Sequence, residues 1–447
     1  MLNKTCYREE RTSRIWLVNL FFGPGMAPTG RFLESLAVEL DQSGHQVEVL
    51  AGRAAYHSES KSGEPRFQGV VHTLYSGPAH ALGSGSKLLS WVCFYLSVAW
   101  YLATHRLPDK VLVMTTPPFL HLIVAVRNLF SRRRAEIILW NQDTYPEVLA
   151  AVGVIRRGSL LYRFLDRLQR WSIRRVDKVI ALDRAMGDIL REHGAARVIS
   201  IPHWDLPHET GESAKSIDPD LLDRMSRYRH VVIYTGNYGW GHDLSSLTSW
   251  WNANPNQRDF FFLFLGGGNQ WERLKEWQNE RRRDDLVVLP YLPREEYLAL
   301  VQRADLGLVA LDEHCVGLMS PSKIHSYLGH GKPLLYIGPP RTNVAEAIEQ
   351  FQCGFRCPQG DLESLSYCLK FLASAEFDLE PYRKRSLQAV RRRYCESVGV
   401  QEVRQYIMEI EFKPPETIPF PVRFPATEHP TQVAPLESVV PLESQCA

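Results

Sequence analysis

From residue 14 to about residue 375, short apolar runs alternate with segments whose apolar side chains recur at helical spacing. This alternation constrains the fold more than any other feature, because strands joined by helix-length crossovers build parallel sheets covered by helices. Arg14 to Phe22 reads as a strand, and Leu33, Leu36, Ala37 and Leu40 then mark one face of a helix that Gly44 closes. Further strands are expected at Gln46 to Leu50, Val70 to Tyr75, Lys110 to Met114, Glu136 to Trp140, Lys178 to Leu182 and Val198 to Ile201. Pro202 to Pro219 interrupts the pattern with three prolines and no periodicity. A second series follows at Val231 to Thr235, Phe260 to Leu265, Leu286 to Leu289, Leu306 to Leu311 and Pro333 to Ile337. The chain therefore reads as α/β, with one doubly wound, Rossmann-like half over 14–205 and another over 206–412 facing it across a central cleft. The charged helical stretch that ends the second half, Glu380 to Phe412, is placed to cross back to the first. Residues 413–447 hold eight prolines in 35 positions and read as a disordered tail.

Composition removes several functions. Lys and Arg number 52 against 50 Asp and Glu, a formal charge of +2, which gives no general grip on nucleic acid, and no nucleic-acid partner is expected. The eight cysteines contain no C-x-x-C pair, so neither a zinc site nor a disulfide framework is indicated. Met1 to Ser13 lacks an apolar core segment, which points to a cytoplasmic protein. Leu88 to Ala103 runs sixteen residues without a charge, short of a bilayer span, and suits a buried or surface-lying helix.

Ligands of open parallel sheets bind beyond the carboxyl ends of the strands. Three loops there are rich in glycine: Gly23 and Gly25 through Thr29 and Gly30, Gly236 through Gly241, and Gly266 through Gly268. Such glycines let backbone N–H groups approach phosphate oxygens, although tight strand-to-helix turns use the same residues. Pro28 spoils a dinucleotide fingerprint in the first loop, and no P-loop sequence exists in the chain. Asp143 and Glu147 flank a Tyr-Pro turn directly after the strand Glu136 to Trp140. Either carboxylate could orient an acceptor hydroxyl or take its proton, and either could equally cap the turn or stay solvated.

The stretch 318–333 (LMSPSKIHSYLGHGKP), together with 234–244 (YTGNYGWGHDL), 142–147 (QDTYPE) and 201–204 (IPHW), resembles glycosyltransferase family 4. The resemblance runs in order over about residues 14 to 375 and is strongest to the bacterial branch that builds colanic acid, capsule and O-antigen units. It implies the GT-B fold, a nucleotide-diphosphate sugar as substrate with no separate cofactor, transfer with retention at the anomeric carbon, and no obligatory metal. Local physics agrees: Ser320 can cap a helix, Pro321 suits its first position, and Lys323 adds a full charge where a diphosphate would lie. Donor binding is accordingly expected from Gly236, Asn237, Gly239, His242, Gly266, Gly267, Ser322, Lys323 and Ser326. Asp143, Glu147 and His121 are expected on the reacting side, with Gly25, Thr29 and Gly30 forming the acceptor loop. His121 also fits a packed residue opening an apolar helix, and His203 and Trp204 fit hinge packing.

The chain departs from the family pattern in two ways. Leu318 and Ser326 occupy the places of a Glu-x7-Glu pair, and Asn237 and Trp240 replace an Arg and a Lys after the first strand of the second half. Arg156 to Arg175 carries seven arginines against Asp166 alone, interleaved with apolar residues, which suits either an anionic membrane surface or a solvated helix packed on the sheet. The implied function is sugar transfer to a lipid-linked or polysaccharide acceptor in cell-surface polysaccharide synthesis, peripheral to the inner face of the plasma membrane. The alternatives are a nucleotide-sugar 2-epimerase of the same fold and a non-catalytic sugar-nucleotide-binding relative.

Overall fold

The computed structural model describes residues 12–23, 27–53, 65–77, 84–206, 217–239, 241–268 and 270–410. The tail, Gly25, Trp240 and much of the proline-bearing break therefore lie outside the described residues. Seven parallel strands, β1 (Arg14–Asn19), β2 (Gln46–Gly52), β3 (Val70–Leu74), β4 (Lys110–Met114), β5 (Glu136–Trp140), β6 (Lys178–Ala181) and β7 (Val198–Ser200), stand in the order β3-β2-β1-β4-β5-β6-β7. Six more, β8 (His230–Asn237), β9 (Phe260–Gly267), β10 (Leu286–Leu289), β11 (Leu306–Ala310), β12 (Leu334–Ile337) and β13 (Gly354–Cys357), stand in the order β10-β9-β8-β11-β12-β13. In each sheet the direction of winding reverses beside the first strand, between β1 and β4 and between β8 and β11, and a crevice opens there. β13 has no counterpart in the sequence reading, since four residues with an exposed Arg356 in the third place show no period.

Six helices cover the first sheet: α1 (Pro28–Gln42), α2 (Ser84–Thr104), α3 (Leu120–Leu129), α4 (Glu147–Ala151), α5 (Leu160–Ile173) and α6 (Arg184–Glu192). Leu33, Leu36, Ala37 and Leu40 of α1 are all buried, and Gly44 follows the helix in the left-handed region at φ +85°, which explains why glycine ends it. α1 begins at Pro28, so Thr29 and Gly30 belong to its first turn and not to an open loop.

The stretch after residue 380 forms two helices, Glu380–Ala389 and Glu396–Met408, with a π-helical turn over Val390–Tyr394 between them. Val400, Val403 and Ile407 of the last helix pack into the core of the first sheet, so the chain does return to its N-terminal half. Trp204 lies beneath that helix; a Cβ on Gly399 would fall 2.2 Å from its ring. Lys178, fully buried in β6, clamps the end of the helix. Its Nζ donates to the Ile407 carbonyl at 2.9 Å and sits 2.6 Å from Glu136 and 3.2 Å from Glu409. Removing this ammonium strands the buried Ile407 carbonyl and leaves Glu136 with Lys110 as its remaining cation, and we expect Lys178→Ala to lower the free energy of unfolding by about 2–3 kcal/mol. A urea titration within about 0.5 kcal/mol of wild type would show that the clamp is idle.

Candidate functional site

The switch point of the second sheet carries a cavity of about 540 Å³. Its wall includes Thr235, Gly236 and Asn237 at the end of β8, His242, and Met319 through Lys323. Gly236 has φ +94° with open space where a Cβ would be, so its backbone is bare toward the cavity. Gly266 lies behind it: a Cβ there would stand 2.0 Å from the Gly236 carbonyl oxygen. Gly266 and Gly267 thus let the two loops close-pack and do not themselves line the cavity. Gly239 likewise works from behind, its carbonyl accepting from the His242 amide at 3.0 Å and from Gln270 at 3.2 Å.

Lys323 dominates the electrostatics. Its Nζ is buried without a hydrogen-bond partner and lies 3.5 Å from the centre of the Tyr234 ring. Burial holds its pKa well below the ordinary lysine range, because nothing but the ring face offsets the lost hydration. The local capping differs from the sequence reading. The helix runs Lys323–Gly329 with Ser322 before it in a helical conformation, and no side chain caps it; Ser320 and Pro321 stay outside, in the cavity wall.

His242 donates from Nδ1 to the Ala310 carbonyl at 2.7 Å. Burial, with the neighbouring Lys323 ammonium, pushes its pKa down to about 3. It is neutral at pH 7, and its remaining ring nitrogen can only accept, so it suits a sugar hydroxyl better than a phosphate. Ser326 stands one step back, 3.3 Å from the hydroxyl of Tyr297, which does line the cavity. Tyr291, Arg294 and Tyr297 escaped the sequence reading. They follow β10 in the stretch 290–297 (PYLPREEY), where an aromatic and basic cluster after a strand was the available signal.

The facing half is joined at Thr144. Its amide donates to the Leu318 carbonyl at 2.8 Å and its hydroxyl to the Gly317 carbonyl at 3.0 Å, next to the cavity residue Met319. Asp143, one residue earlier, is set by Thr115, whose hydroxyl accepts from the amides of Gln142 and Asp143 at 2.9 and 3.3 Å. Its carboxylate has no hydrogen-bond partner among the described residues, and burial raises its pKa to about 6. Glu147 and His121 face elsewhere. Glu147 bonds His193 at 2.9 Å inside its own half, and His121, almost fully buried, bonds Ser172 at 2.9 Å with a pKa lowered by burial to about 4. His121 is thus packed inside its half, whereas Glu147 is partly buried and its second carboxylate oxygen is without a hydrogen-bond partner among the described residues. Glu147, His193 and Asp166 bring ligand atoms within 4.8 Å of one another, but Arg170 already holds Asp166 at 2.9 Å. His203 stacks on Phe32 with ring centres 4.0 Å apart and bonds Gln142 at 2.7 Å, as hinge packing requires.

Asp143 has a raised folded pKa, so the folded state binds its proton more tightly than the unfolded chain, whose Asp pKa is about 3.9. That contribution favours folding below about pH 4 and is lost as pH rises through about 6. Asp143→Asn should therefore raise the melting temperature at about pH 7.5 by roughly 2 °C or more and leave it unchanged at about pH 4. Equal shifts at both pH values, read by calorimetry, would contradict the assignment.

Residues 29–204 match the model of the glycosyl transferase 4-like domain. The probable glycosyltransferase WbjE of Pseudomonas aeruginosa is 23% identical over 267 residues, which cover 59% of this chain and 66% of that protein, just under two thirds of its length. Among solved structures, the catalytic domain of starch synthase IV from Arabidopsis thaliana, bound to ADP and acarbose, superposes with a TM-score of 0.63 at 12% identity, over 89% of this chain and 99% of that one. HepE from Anabaena, in complex with UDP, gives 0.59 at 12% identity over 89% of this chain and all of the other. Two parallel sheets, each wound outward from its own switch point, give this chain the two-domain GT-B fold of these neighbours, and residues 29–204 are similar to the glycosyl transferase 4-like domain.

Proposed function

We propose that the protein moves a sugar from a nucleotide-diphosphate donor to a lipid-linked or polysaccharide acceptor, with retention at the anomeric carbon, in the synthesis of cell-surface polysaccharide. The observation that carries this reading is the buried, partnerless ammonium of Lys323 in a cavity that no carboxylate lines. Arg294 adds a second cation to the same wall. A diphosphate brings the opposite charge, and the bare backbone at Gly236 and Asn237 offers amides to it. The uridine and adenosine diphosphates held by the HepE and starch synthase IV structures are ligands of this chemical class. Tyr291 and Tyr297 offer aromatic faces to a base, and the Ser326 and Tyr297 hydroxyls take the place of a ribose-binding carboxylate. No protein base is required in this reading, since the departing diphosphate can take the acceptor proton; Asp143 then orients the acceptor hydroxyl. No resident metal is invoked, the charge being met by Lys323, Arg294 and amides. Among the described residues no helix is long and apolar enough to cross a membrane.

The test uses opposed signs. A lysine with a depressed folded pKa costs stability at neutral pH, so Lys323→Met should melt higher than wild type when free of ligand. The same variant should lose the stabilisation that UDP-, GDP- or ADP-sugars give wild type, and kcat/KM for the active donor should fall about 100-fold or more. Near-normal transfer by that variant would sink the diphosphate assignment. Epimer release from donor alone would favour the epimerase reading instead.

A further inference from the structure

Helix α2 is apolar on two opposite faces. Phe94, Val98 and Leu102 are buried in the core, yet Leu96 and Trp100 on the other side are 67% and 73% exposed. A helix that is apolar all round is ordinarily covered all round. The uncovered side continues onto its neighbours. Phe130, at the end of α3, is 81% exposed, and Leu160 and Phe164 of α5 are 85% and 61% exposed. The three helices form one slab. The Arg127 guanidinium of α3 donates to the Leu102 carbonyl of α2 at 2.8 Å, and the buried His121 of α3 bonds Ser172 of α5 at 2.9 Å. Tyr95 of α2 donates to the carbonyl of Pro118, just before α3.

The charge around this slab is predominantly positive, and its acids Asp166 and Asp109 are already held by Arg170 and Arg133. Residues 126–134 contain four arginines and no acid, and residues 154–165 contain three arginines and no acid. Arg132, Arg134 and Arg163 are exposed and form no ion pair among the described residues. A second copy of the chain seated here by two-fold symmetry would set these arginines against themselves with no carboxylate to meet them. Apolar side chains among unpaired arginines match the interface of an anionic bilayer, where the former enter the acyl boundary and the latter meet lipid phosphates.

We propose that α2, α3 and α5 together form a membrane-docking face that lies flat on an anionic lipid surface, with α2 as the inserted edge. The face borders the reaction side of the cleft: the ring of Phe119, just before α3, lies 6.0 Å from that of Tyr145, two residues from Asp143. A lipid-anchored acceptor would thus reach Asp143 from the bilayer; this last point rests on the transferase reading, whereas docking itself does not.

The test is co-sedimentation of the full chain, without donor, with vesicles of phosphatidylcholine alone or mixed with phosphatidylglycerol. Binding is expected only to the anionic vesicles and should weaken with salt. Leu96→Ser with Trp100→Ser should abolish it. Arg132→Ser with Arg163→Ser should reduce the partition coefficient about thirtyfold, each arginine beside an anionic surface accounting for a factor of roughly five. Donor-induced thermal stabilisation should persist in both variants, which separates failure of docking from failure of the donor site. If the serine variants do not fold, wild-type tryptophan fluorescence should still be quenched by brominated anionic vesicles. Wild type that ignores anionic vesicles, variants that bind as well as wild type, or a loss confined to self-association in light scattering would each overturn the proposal.

Discussion

One unsatisfied charge organises the cleft. An ammonium buried over an aromatic face, without a hydrogen bond, is among the less stable arrangements a folded chain can hold, and it persists only where the surrounding structure enforces it. Here the enforcement is visible. Tyr234 stands on β8 with its hydroxyl bonded to the Asn237 carbonyl at 3.1 Å, and Tyr327, four residues after Lys323, accepts from the Thr235 amide at 2.8 Å. The helix bearing the lysine is therefore pinned to the strand bearing the ring. The ammonium waits for a counter-charge because its own scaffold prevents it from reaching water.

The same scaffold explains how two halves keep a shared cleft. Links at different depths join them, among them Thr144 against Gly317 and Leu318, the 2.6 Å ion pair of Asp188 with Arg341 at the surface, and the terminal helix returned to the first sheet under the Lys178 clamp. The Thr144 link uses only backbone carbonyls on the far side, so it sets geometry without committing charge beside the lysine.

Twelve of the thirteen strands were legible, most because burial on both faces writes them as continuous apolar runs; the exposed edge β3 and the partly buried β7 were read from their short β-branched runs alone. The cavity was partly legible: Gly236, Asn237, Ser322 and Lys323 sit on loops whose position at a carboxyl edge follows from strand order alone. What pattern could not supply was the direction in which a side chain turns. Glu147 and His121 also follow strand ends, but their partners His193 and Ser172 lie 46 and 51 residues away, and such pairings leave no local trace. Arg294 and Tyr297 were missed for the converse reason, being carried into the cavity by a crossover whose path only the sheet order reveals.

The departures from the family pattern and the orphaned lysine prove to be one fact. Where the resemblance anticipates two carboxylates, Leu318 is buried and spends its carbonyl on Thr144, and Ser326 pairs with the hydroxyl of Tyr297. Neither position supplies a negative charge, and no other carboxylate lines the cavity. With no carboxylate lining the cavity, the Lys323 nitrogen has no internal counter-charge there, and in the proposed reading an incoming diphosphate supplies it. In the proposed reading, the balance of donor recognition would shift from the nucleoside toward the diphosphate, the part of the donor that all nucleotide sugars share.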